Sequence, residues 1–323
     1  MVTNPDNAPR PMAGPWGLKI SGVGAVLPDK VLTNDDLSAM MDTSDEWIRE
    51  RTGIAERRIG GTTSGLATEA ARLALADANT DPSEIDQVIL ATTTPDHILP
   101  GTAPAVAREL GILAGSFDLQ AACSGWVYGL VVANGLLVQG MEKILVIGAE
   151  ALDRITNFED RGTGILFGNG AGAAVVEPDP TGTGELLSWD TGANGNYVHI
   201  LYADHGDTML MDGNEVFRQA VTVMQRSAKA SMEKAGLTPD DIDLIIPHQA
   251  NIRIVESAWK KLGFSMDKTA MVLERTGNTS AASIPLALDD ALKNDRIKPG
   301  DNVLFLGFGA GMTWASAIVR WAP

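Results

Sequence analysis

Short apolar runs and longer amphipathic segments alternate along the chain. Residues 87–92 and 143–148 are almost wholly apolar, which is typical of strands buried on both faces. Residues 66–79 and 100–110 carry leucine and alanine at helical spacing and predict helices. A further strand is predicted over 18–27. Because buried strands alternate with helices, the pattern predicts an α/β protein whose mostly parallel sheets lie between helices.

A polar segment with the signals of a helix start follows the first strand. Residues 35–41 predict a short helix, and Thr43-Ser44-Asp45-Glu46 has the form of a capping box with Thr43 as the N-cap of the helix that carries Trp47. Four arginines then occur within ten residues, namely Arg49, Arg51, Arg57 and Arg58. In an acidic chain this density indicates an anion site, with a solvated helix face as the alternative.

The chain repeats its own pattern. Residues 81–90 are echoed by 238–247, with Ile85 and Ile242 standing 157 residues apart. Residues 143–148 are echoed by 302–307 at a separation of 159 residues. Two similar stretches in one order at nearly one spacing indicate two copies of a strand–helix unit, packed as the pseudo-twofold halves of one body.

A Pro- and Gly-rich segment over 178–184 is the predicted boundary between the halves. The expected organisation is a flexible extension over 1–17, a first half over 18–178 and a second half over 185–323. The Gly-rich segment 188–207 is expected to be a loop.

Composition and charge exclude several classes of protein. The 323 residues carry a net charge of −16 and 45% hydrophobic residues, which fits a globular chain and argues against nucleic-acid binding. No apolar run is long enough to span a bilayer, and the start of the chain lacks the apolar core of a secretory signal. The chain is therefore expected in the cytoplasm, away from membranes. Four scattered histidines show no metal-ligand spacing, so no metal site is expected.

Cys123, the single cysteine of the chain, is the first candidate for chemistry. It follows a predicted strand that contains Phe117 and Leu119 and precedes a helix predicted over 126–140. The unpaired N–H groups and the dipole at a helix N-terminus favour a reactive thiolate. The alternative is a small buried hydrophobic residue, the common fate of a lone cysteine.

Two further candidates lie in the second half. Asn278, 155 residues after Cys123, occupies another loop that leads into a helix. His248 directly follows the buried strand that ends at Pro247. Because α/β sheets keep their sites at the carboxyl ends of strands, two similar halves can bring these three loops face to face. A core histidine and a turn asparagine are the alternatives.

Six motifs in order resemble the thiolase superfamily and, within it, the 3-ketoacyl-[acyl carrier protein] synthase III family. The resemblance covers residues 18–321. The motifs are Asp42-Thr43-Ser44-Asp45-Glu46-Trp47-Ile48 with Arg51-Thr52-Gly53-Ile54, Ala121-Ala122-Cys123-Ser124-Gly125, Phe167-Gly168-Asn169-Gly170-Ala171-Gly172, Gly213-Asn214-Glu215-Val216-Phe217, Pro247-His248-Gln249-Ala250-Asn251-Ile252-Arg253, and Gly277-Asn278-Thr279-Ser280-Ala281-Ala282-Ser283. It implies a five-layer αβαβα sandwich and a homodimer.

The resemblance also implies a decarboxylative Claisen condensation that starts type II fatty-acid synthesis. Cys123 would take the acyl group of an acyl-CoA primer. His248 and Asn278 would stabilise the enolate formed from malonyl-[acyl carrier protein], and the backbone N–H groups of Cys123 and Gly311 would form an oxyanion hole. Acyl-CoA is a substrate in this reading, and no permanently bound cofactor is expected.

Binding residues carry over from the same resemblance. The expected CoA contacts are Thr43, Trp47, Arg51, Arg161, Gly213 and Asn251. The expected contacts of the acidic acyl carrier protein are Arg218, Gln249, Ala250, Asn251, Ile252, Arg253, Lys260 and Lys261. The expected acyl pocket contains Leu99, Leu152 and Phe217, and Leu99 stands where some relatives have phenylalanine, which favours longer or branched primers. Core tryptophan and solvated basic residues are the alternatives.

Two other functions are open at this stage. One is a relative on the same fold that serves secondary metabolism through polyketide priming or acyl transfer. A noncatalytic homologue that binds the carrier protein would show no acylation of Cys123. A degradative thiolase is disfavoured because its chemistry requires a second cysteine as base, and the chain has one.

Overall fold

A computed structural model describes residues 17–322 of the chain. The extension predicted over 1–17 lies outside the described residues except for Gly17. The first half forms a five-stranded sheet in the order β1-β7-β6-β4-β5, in which β4 runs parallel to β5 and β6 while β7 runs antiparallel to β1 and β6. Its strands are β1 Gly17–Val26, β4 Gln87–Ala91, β5 Gly115–Leu119, β6 Ile144–Glu150 and β7 Gly170–Asp179.

The second half forms a four-stranded sheet with the equivalent order β11-β12-β13-β8. Only β11 and β12 run parallel, and β13 is antiparallel to both of its neighbours. Its strands are β8 Glu185–Ala193, β11 Leu244–Pro247, β12 Asn302–Gly309 and β13 Thr313–Arg320. The sheets are therefore mixed, and because only three of their seven strand pairings are parallel, the expectation of mostly parallel sheets is wrong.

Helices pack on both faces of each sheet. The helices are α1 Asn34–Ser38, α2 Asp45–Thr52, α3 Thr63–Asp77, α4 Ala103–Leu110, α5 Gly125–Val138, α6 Gly213–Ala235, α7 Ile252–Leu262, α8 Leu273–Thr276 and α9 Ser283–Lys293. Helix α3 covers the outer face of the first sheet, and α6 covers the outer face of the second. Helices α5 and α9 lie between the sheets in one core shared by both halves. The predicted five-layer sandwich is confirmed.

Two short antiparallel ribbons flank the sandwich. Strand β2 (Val31–Thr33) pairs with β3 (Glu56–Arg58), and β9 (Leu201–Tyr202) pairs with β10 (Leu210–Met211). Within residues 17–322, no helix has both the length and the apolar character needed to cross a membrane.

The internal repeat has a more regular spacing than the sequence suggested. Ala122 and Ser280 each open a short 3₁₀ turn in the left-handed region with φ 48°. These two residues are 158 positions apart, as are the first residues of α5 and α9. The structural equivalent of Cys123 is therefore Ala281. Asn278, which lies 155 residues after Cys123, therefore precedes the equivalent position by three residues.

Three local expectations are also corrected. The N-cap of α2 is Ser44, whose hydroxyl accepts from the N–H of Trp47, whereas the Thr43 hydroxyl is buried without a hydrogen-bond partner. Residues 185–193 form strand β8 rather than a loop, because their pairing with β13 completes the second sheet. Helix α4 begins at Ala103, three residues later than expected.

The two halves meet where backbone packs on backbone. Gly148 on β6 is so close to the turn before α9 that a Cβ atom would lie 2.3 Å from the carbonyl oxygen of Ala281.

We predict that Gly148→Ala lowers the free energy of unfolding by about 1–3 kcal/mol, the usual cost of overpacking a core. Chemical denaturation measures it. Gly135→Ala, at an exposed helical position with open space around it, is the matched control and should be neutral or stabilising. Equal effects of the two substitutions would contradict the contact.

Candidate active site

Cys123 lies in a 3₁₀ turn over Ala122–Ser124, between strand β5 and helix α5. Two glycines at the carboxyl end of β12 allow the second half to approach this turn. A Cβ atom on Gly309 would lie 2.5 Å from the backbone nitrogen of Cys123, and one on Gly307 would lie 2.8 Å from the Cα of Ser124. The turn is therefore fixed by both halves of the chain.

Cys123, His248 and Asn278 line one cavity of about 740 Å³, here called the entrance cavity. His248 follows β11, donates its backbone N–H to Leu306 at 2.7 Å and packs edge-on against Phe308. Asn278 is held through its backbone by residues 166–168, which pair with it as a single bridge. The structure thus brings together the three loops that were expected to face each other at the carboxyl ends of strands in the two halves.

Asn278 presents a hydrogen-bond donor to the cavity. Its side-chain oxygen accepts the backbone N–H of Ser280 at 2.9 Å. This bond assigns the amide orientation and leaves the Nδ2 group of Asn278 available to donate. An N–H donor held in this orientation can stabilise a negatively charged oxygen by a hydrogen bond.

His248 is buried and neutral. Its Nδ1 lies 2.7 Å from the Ser283 hydroxyl, which donates its one proton to the carbonyl of Ser280 at 2.8 Å. Nδ1 therefore carries a proton and donates it to Ser283, and Nε2 has a free lone pair. Burial lowers the pKa of His248 to about 3, although the backbone of Ser280 opposes the shift.

The Cys123 thiol does not have the lowered pKa that its place before a helix suggested. Burial is the main cause that raises the pKa of Cys123 to about 12; a hydrogen bond from Ser280 opposes the shift, and the nearby Glu150 carboxyl group adds to it. The N-cap of α5 is Ser124, so Cys123 precedes the helix instead of opening it. Removal from water outweighs the helix dipole at this position.

Glu150 is a buried carboxyl group beside the site, and the sequence analysis missed it. It accepts hydrogen bonds from the Thr93 N–H and hydroxyl and from the hydroxyls of Thr94 at 2.7 Å and Ser280 at 2.8 Å. Ser283, which bonds His248, was missed as well. The available signal was a charged residue at the end of the apolar run that became β6.

A basic and aromatic group forms the mouth of the entrance cavity. Trp47, Arg51, Arg161, Gly213 and Asn251 all line it. The guanidinium carbons of Arg51 and Arg161 lie 4.8 and 4.7 Å from the centre of a Trp47 ring, which is the range of cation–π contacts. Five of the six expected CoA residues are therefore together, and Thr43 is not among the cavity-lining residues.

The four clustered arginines separate in the structure. Arg51 alone lines the entrance cavity. Arg57 is fully buried and donates to Asn34 and to the carbonyls of Leu32 and Ile165, so it ties together local elements instead of binding an anion. Arg49 and Arg58 form ion pairs with neighbouring carboxylates.

The residues expected to meet the carrier protein are only partly available. Arg218 and Arg253 are exposed at the mouth, beside the half-buried Ala250, Asn251 and Ile252. Lys260 and Lys261 are exposed in the last turn of α7. Gln249 is wrong as a surface contact because its side chain is buried and bonds Ala270, Val272 and Leu273.

A second cavity of about 370 Å³, here called the inner cavity, also reaches Cys123. Its apolar lining includes Leu152, Ile155, Phe167, Leu201 and Met209, and Gly311 lines it too. Of the residues expected in the acyl pocket, Leu152 lines the inner cavity, whereas Phe217 lines the entrance cavity. Leu99 lines neither cavity and is 86% exposed. Within the described residues, no cluster of potential ligands for a metal ion is found.

Comparisons with known proteins agree on one family. The family descriptions "3-Oxoacyl-[acyl-carrier-protein (ACP)] synthase III" and its C-terminal counterpart match residues 117–195 and 232–321. A beta-ketoacyl-[acyl-carrier-protein] synthase III of Caldanaerobacter subterraneus is 48% identical over 94% of this chain and 97% of its own. The crystal structure of the synthase III of Aquifex aeolicus is 43% identical with a TM-score of 0.93, covering 94% and 100% of the two chains. That of Thermus thermophilus is 44% identical with a TM-score of 0.90, covering 94% and 99%.

The neutral state of His248 has a consequence for stability. Its pKa is about 3 in the folded chain and near 6.5 in the unfolded chain, so below pH 6.5 the unfolded state takes up a proton that the folded state refuses. We predict that between pH 7 and pH 5 this histidine costs the folded state about 2 kcal/mol. Denaturation of wild type and His248→Gln at both pH values measures it, because the variant should lose less stability on acidification. His97→Gln, at an exposed position, is the control. Equal losses in wild type and His248→Gln would contradict a buried neutral ring.

Proposed function

The chain belongs to the 3-oxoacyl-[acyl-carrier-protein] synthase III family, and we propose that the cavities meeting at Cys123 are its condensation site. It is an acyltransferase that condenses an acyl primer with a malonyl group to begin fatty-acid synthesis. The observation that supports the site best is the meeting of a thiol, a neutral histidine and an oriented asparagine at one cavity. Each of these groups has a task in the two half-reactions.

The first half-reaction transfers the acyl group to Cys123. The thiol is protonated and His248 Nε2 is unprotonated, so the thiol gives its proton to Nε2 as sulfur attacks the acyl-CoA carbonyl. A C–S bond forms to Cys123, and the C–S bond to CoA breaks. The CoA thiolate leaves with the proton from His248. The site therefore returns to its neutral state with an acyl-cysteine.

The second half-reaction forms the carbon–carbon bond. The malonyl thioester loses CO₂, and its oxygen gains the negative charge of an enolate. Asn278 Nδ2 donates to that oxygen. His248 Nε2 donates as well in its other tautomer, which Ser283 permits because its hydroxyl can rotate to donate to Nδ1. The enolate carbon attacks the acyl-Cys123 carbonyl, whose oxygen would face the N–H groups of Cys123 and Gly311. The sulfur leaves as a thiolate and takes up a proton from solvent, which restores the resting thiol.

The mouth of the entrance cavity has the chemistry to hold CoA. Trp47 offers an aromatic face to an adenine ring, and Arg51 and Arg161 offer positive charge to phosphate. Arg161 contacts Trp47 directly, so the base would displace its guanidinium group before stacking. Arg218 and Arg253, at the same mouth, suit an acidic carrier protein that delivers the malonyl group.

The inner cavity is proposed as the acyl pocket. Its apolar lining begins at Cys123, where the primer would be attached. Strand β5 is an edge strand, and the side chains of Ile98 and Leu99 are 83% and 86% exposed. A second copy of the chain would cover this surface and bring its Leu99 to the pocket. A leucine side chain is smaller and more flexible than phenylalanine, so it would leave room in the pocket for primers longer or more branched than acetyl.

We predict that wild type forms a covalent acyl adduct with acyl-CoA and that Cys123→Ala forms none, because Cys123 is the one thiol of the chain. Intact mass spectrometry after brief exposure to acetyl-, branched and long-chain acyl-CoAs measures both the adduct and the preferred primer. Branched or longer primers should load at least as fast as acetyl.

Asn278→Ala is the control that separates the two half-reactions. It should still load the primer, yet its condensation rate should fall about 10²–10³-fold with the loss of one donor to the enolate. No adduct from any acyl-CoA on wild type would overturn the proposed role of Cys123. Normal condensation by Asn278→Ala would overturn that of Asn278.

We predict that Arg253→Glu lowers kcat/KM for the malonyl-carrier protein about tenfold at low salt, with a smaller loss at high salt, because charge steers this encounter. Steady-state assays at two ionic strengths measure it. Arg320→Glu is matched in charge and lies on β13 opposite Asn302, at the end of β12 remote from Gly309. An equal loss in both variants would show that net charge, not a local surface, governs binding.

A further inference from the structure

The two proposed enolate donors reach the entrance cavity from separate loops. His248 directly follows β11, whereas Asn278 comes 30 positions later, just after α8. In the proposed reaction both donate to one oxygen atom, so the distance between the two loops has to be fixed. Misplacement of a reacting group by a fraction of an ångström is enough to slow a reaction severalfold.

Gln249, the residue after His248, joins these loops through its buried side chain. Its Nε2 group donates to the carbonyl of Ala270 at 2.9 Å. Its Oε1 atom accepts the backbone N–H groups of Val272 at 2.8 Å and Leu273 at 2.9 Å. Such a set requires a donor and an acceptor with two lone pairs in one neutral side chain, which a primary amide provides.

The contacts of Gln249 continue to Asn278 through helix α8. Leu273 opens this helix, and Val272, at the N-cap, has an apolar side chain that cannot cap it. Gln249 therefore supplies the acceptor that the first N–H groups of α8 need. The carbonyl of Leu273 in turn accepts the N–H of Gly277 at 3.0 Å, and Asn278 follows. Because α8 has four residues, a shift at its start is carried to Asn278.

We propose that Gln249 is a positioning residue that fixes the distance between His248 and Asn278, so that both donate to the enolate oxygen of the malonyl thioester. The inference deepens the proposed condensation and rests on it. It replaces the carrier-protein contact that the sequence resemblance implied for Gln249, since a side chain with 0% exposure does not meet a docked protein.

A single turnover of pre-acylated enzyme tests this role. The enzyme is loaded with acyl-CoA, its acylated fraction is measured by intact mass, and the condensation rate is followed over a range of malonyl-carrier concentrations. We expect Gln249→Met, which has similar length and no hydrogen-bonding amide, to lower the maximal rate about tenfold. The half-saturating carrier concentration and the rate of acyl loading should stay within about twofold of wild type, since Asn278 acts after loading.

Gln87→Met is the matched control. Gln87 is also a buried glutamine, but it opens β4 opposite Gly115, at the end of the sheet remote from Cys123. Its loss should leave both half-reactions unchanged. Normalising each rate to the acylated fraction removes any unfolded protein from the comparison.

Gln249→Glu keeps the length of the side chain and the acceptor for α8, and it serves as the second variant if Gln249→Met fails to fold. It should lower the maximal rate about threefold, because the constant donor to Ala270 is lost. In any folded variant of Gln249, a raised half-saturating concentration with an unchanged maximal rate would indicate contact with the carrier protein and would overturn the proposal. An unchanged maximal rate, or an equal loss in loading and condensation, would overturn it as well. Failure of the proposed function appears earlier, as the absence of an adduct on wild type, so the two failures are distinguishable.

Discussion

The site depends on two reciprocal contacts in which a glycine of one half admits the backbone of the other. Gly148 on β6 faces the turn before α9, and Gly307 on β12 faces the turn that carries Cys123. Any side chain at these positions would force the halves apart. The distance between the turns, and hence between the thiol of one half and the amide and imidazole of the other, follows from these contacts.

Electrostatics in the closed interior then decide which protonation states the site holds. Burial keeps both the thiol of Cys123 and the ring of His248 neutral, by raising one pKa and lowering the other. Hydrogen bonds to Ser280 and Ser283 fix orientation where charge is absent. In the proposed reaction, chemistry therefore starts from a neutral thiol and a neutral imidazole, and charge develops only as the substrate reacts.

The sequence predicted the two-half architecture because apolar runs and helical spacing repeat along the chain. It also predicted Cys123, His248 and Asn278 as residues of facing loops. It could not predict that the surroundings of the half-buried Cys123 outweigh the helix dipole, since those surroundings arise only from the packing of distant segments. Glu150 and Gln249 were misjudged for the same reason, because each is charged or polar yet enclosed by residues far away in the chain.

The equivalence of Cys123 and Ala281 makes the chain an internal dimer whose symmetry is broken at one position. Both turns keep the left-handed entry and the helix that follows. One turn carries a nucleophile, and the other carries a methyl group while its flanking residues supply hydrogen bonds. In the proposed reaction the two copies have different tasks, since one would hold the acyl group and the other would stabilise the enolate that attacks it.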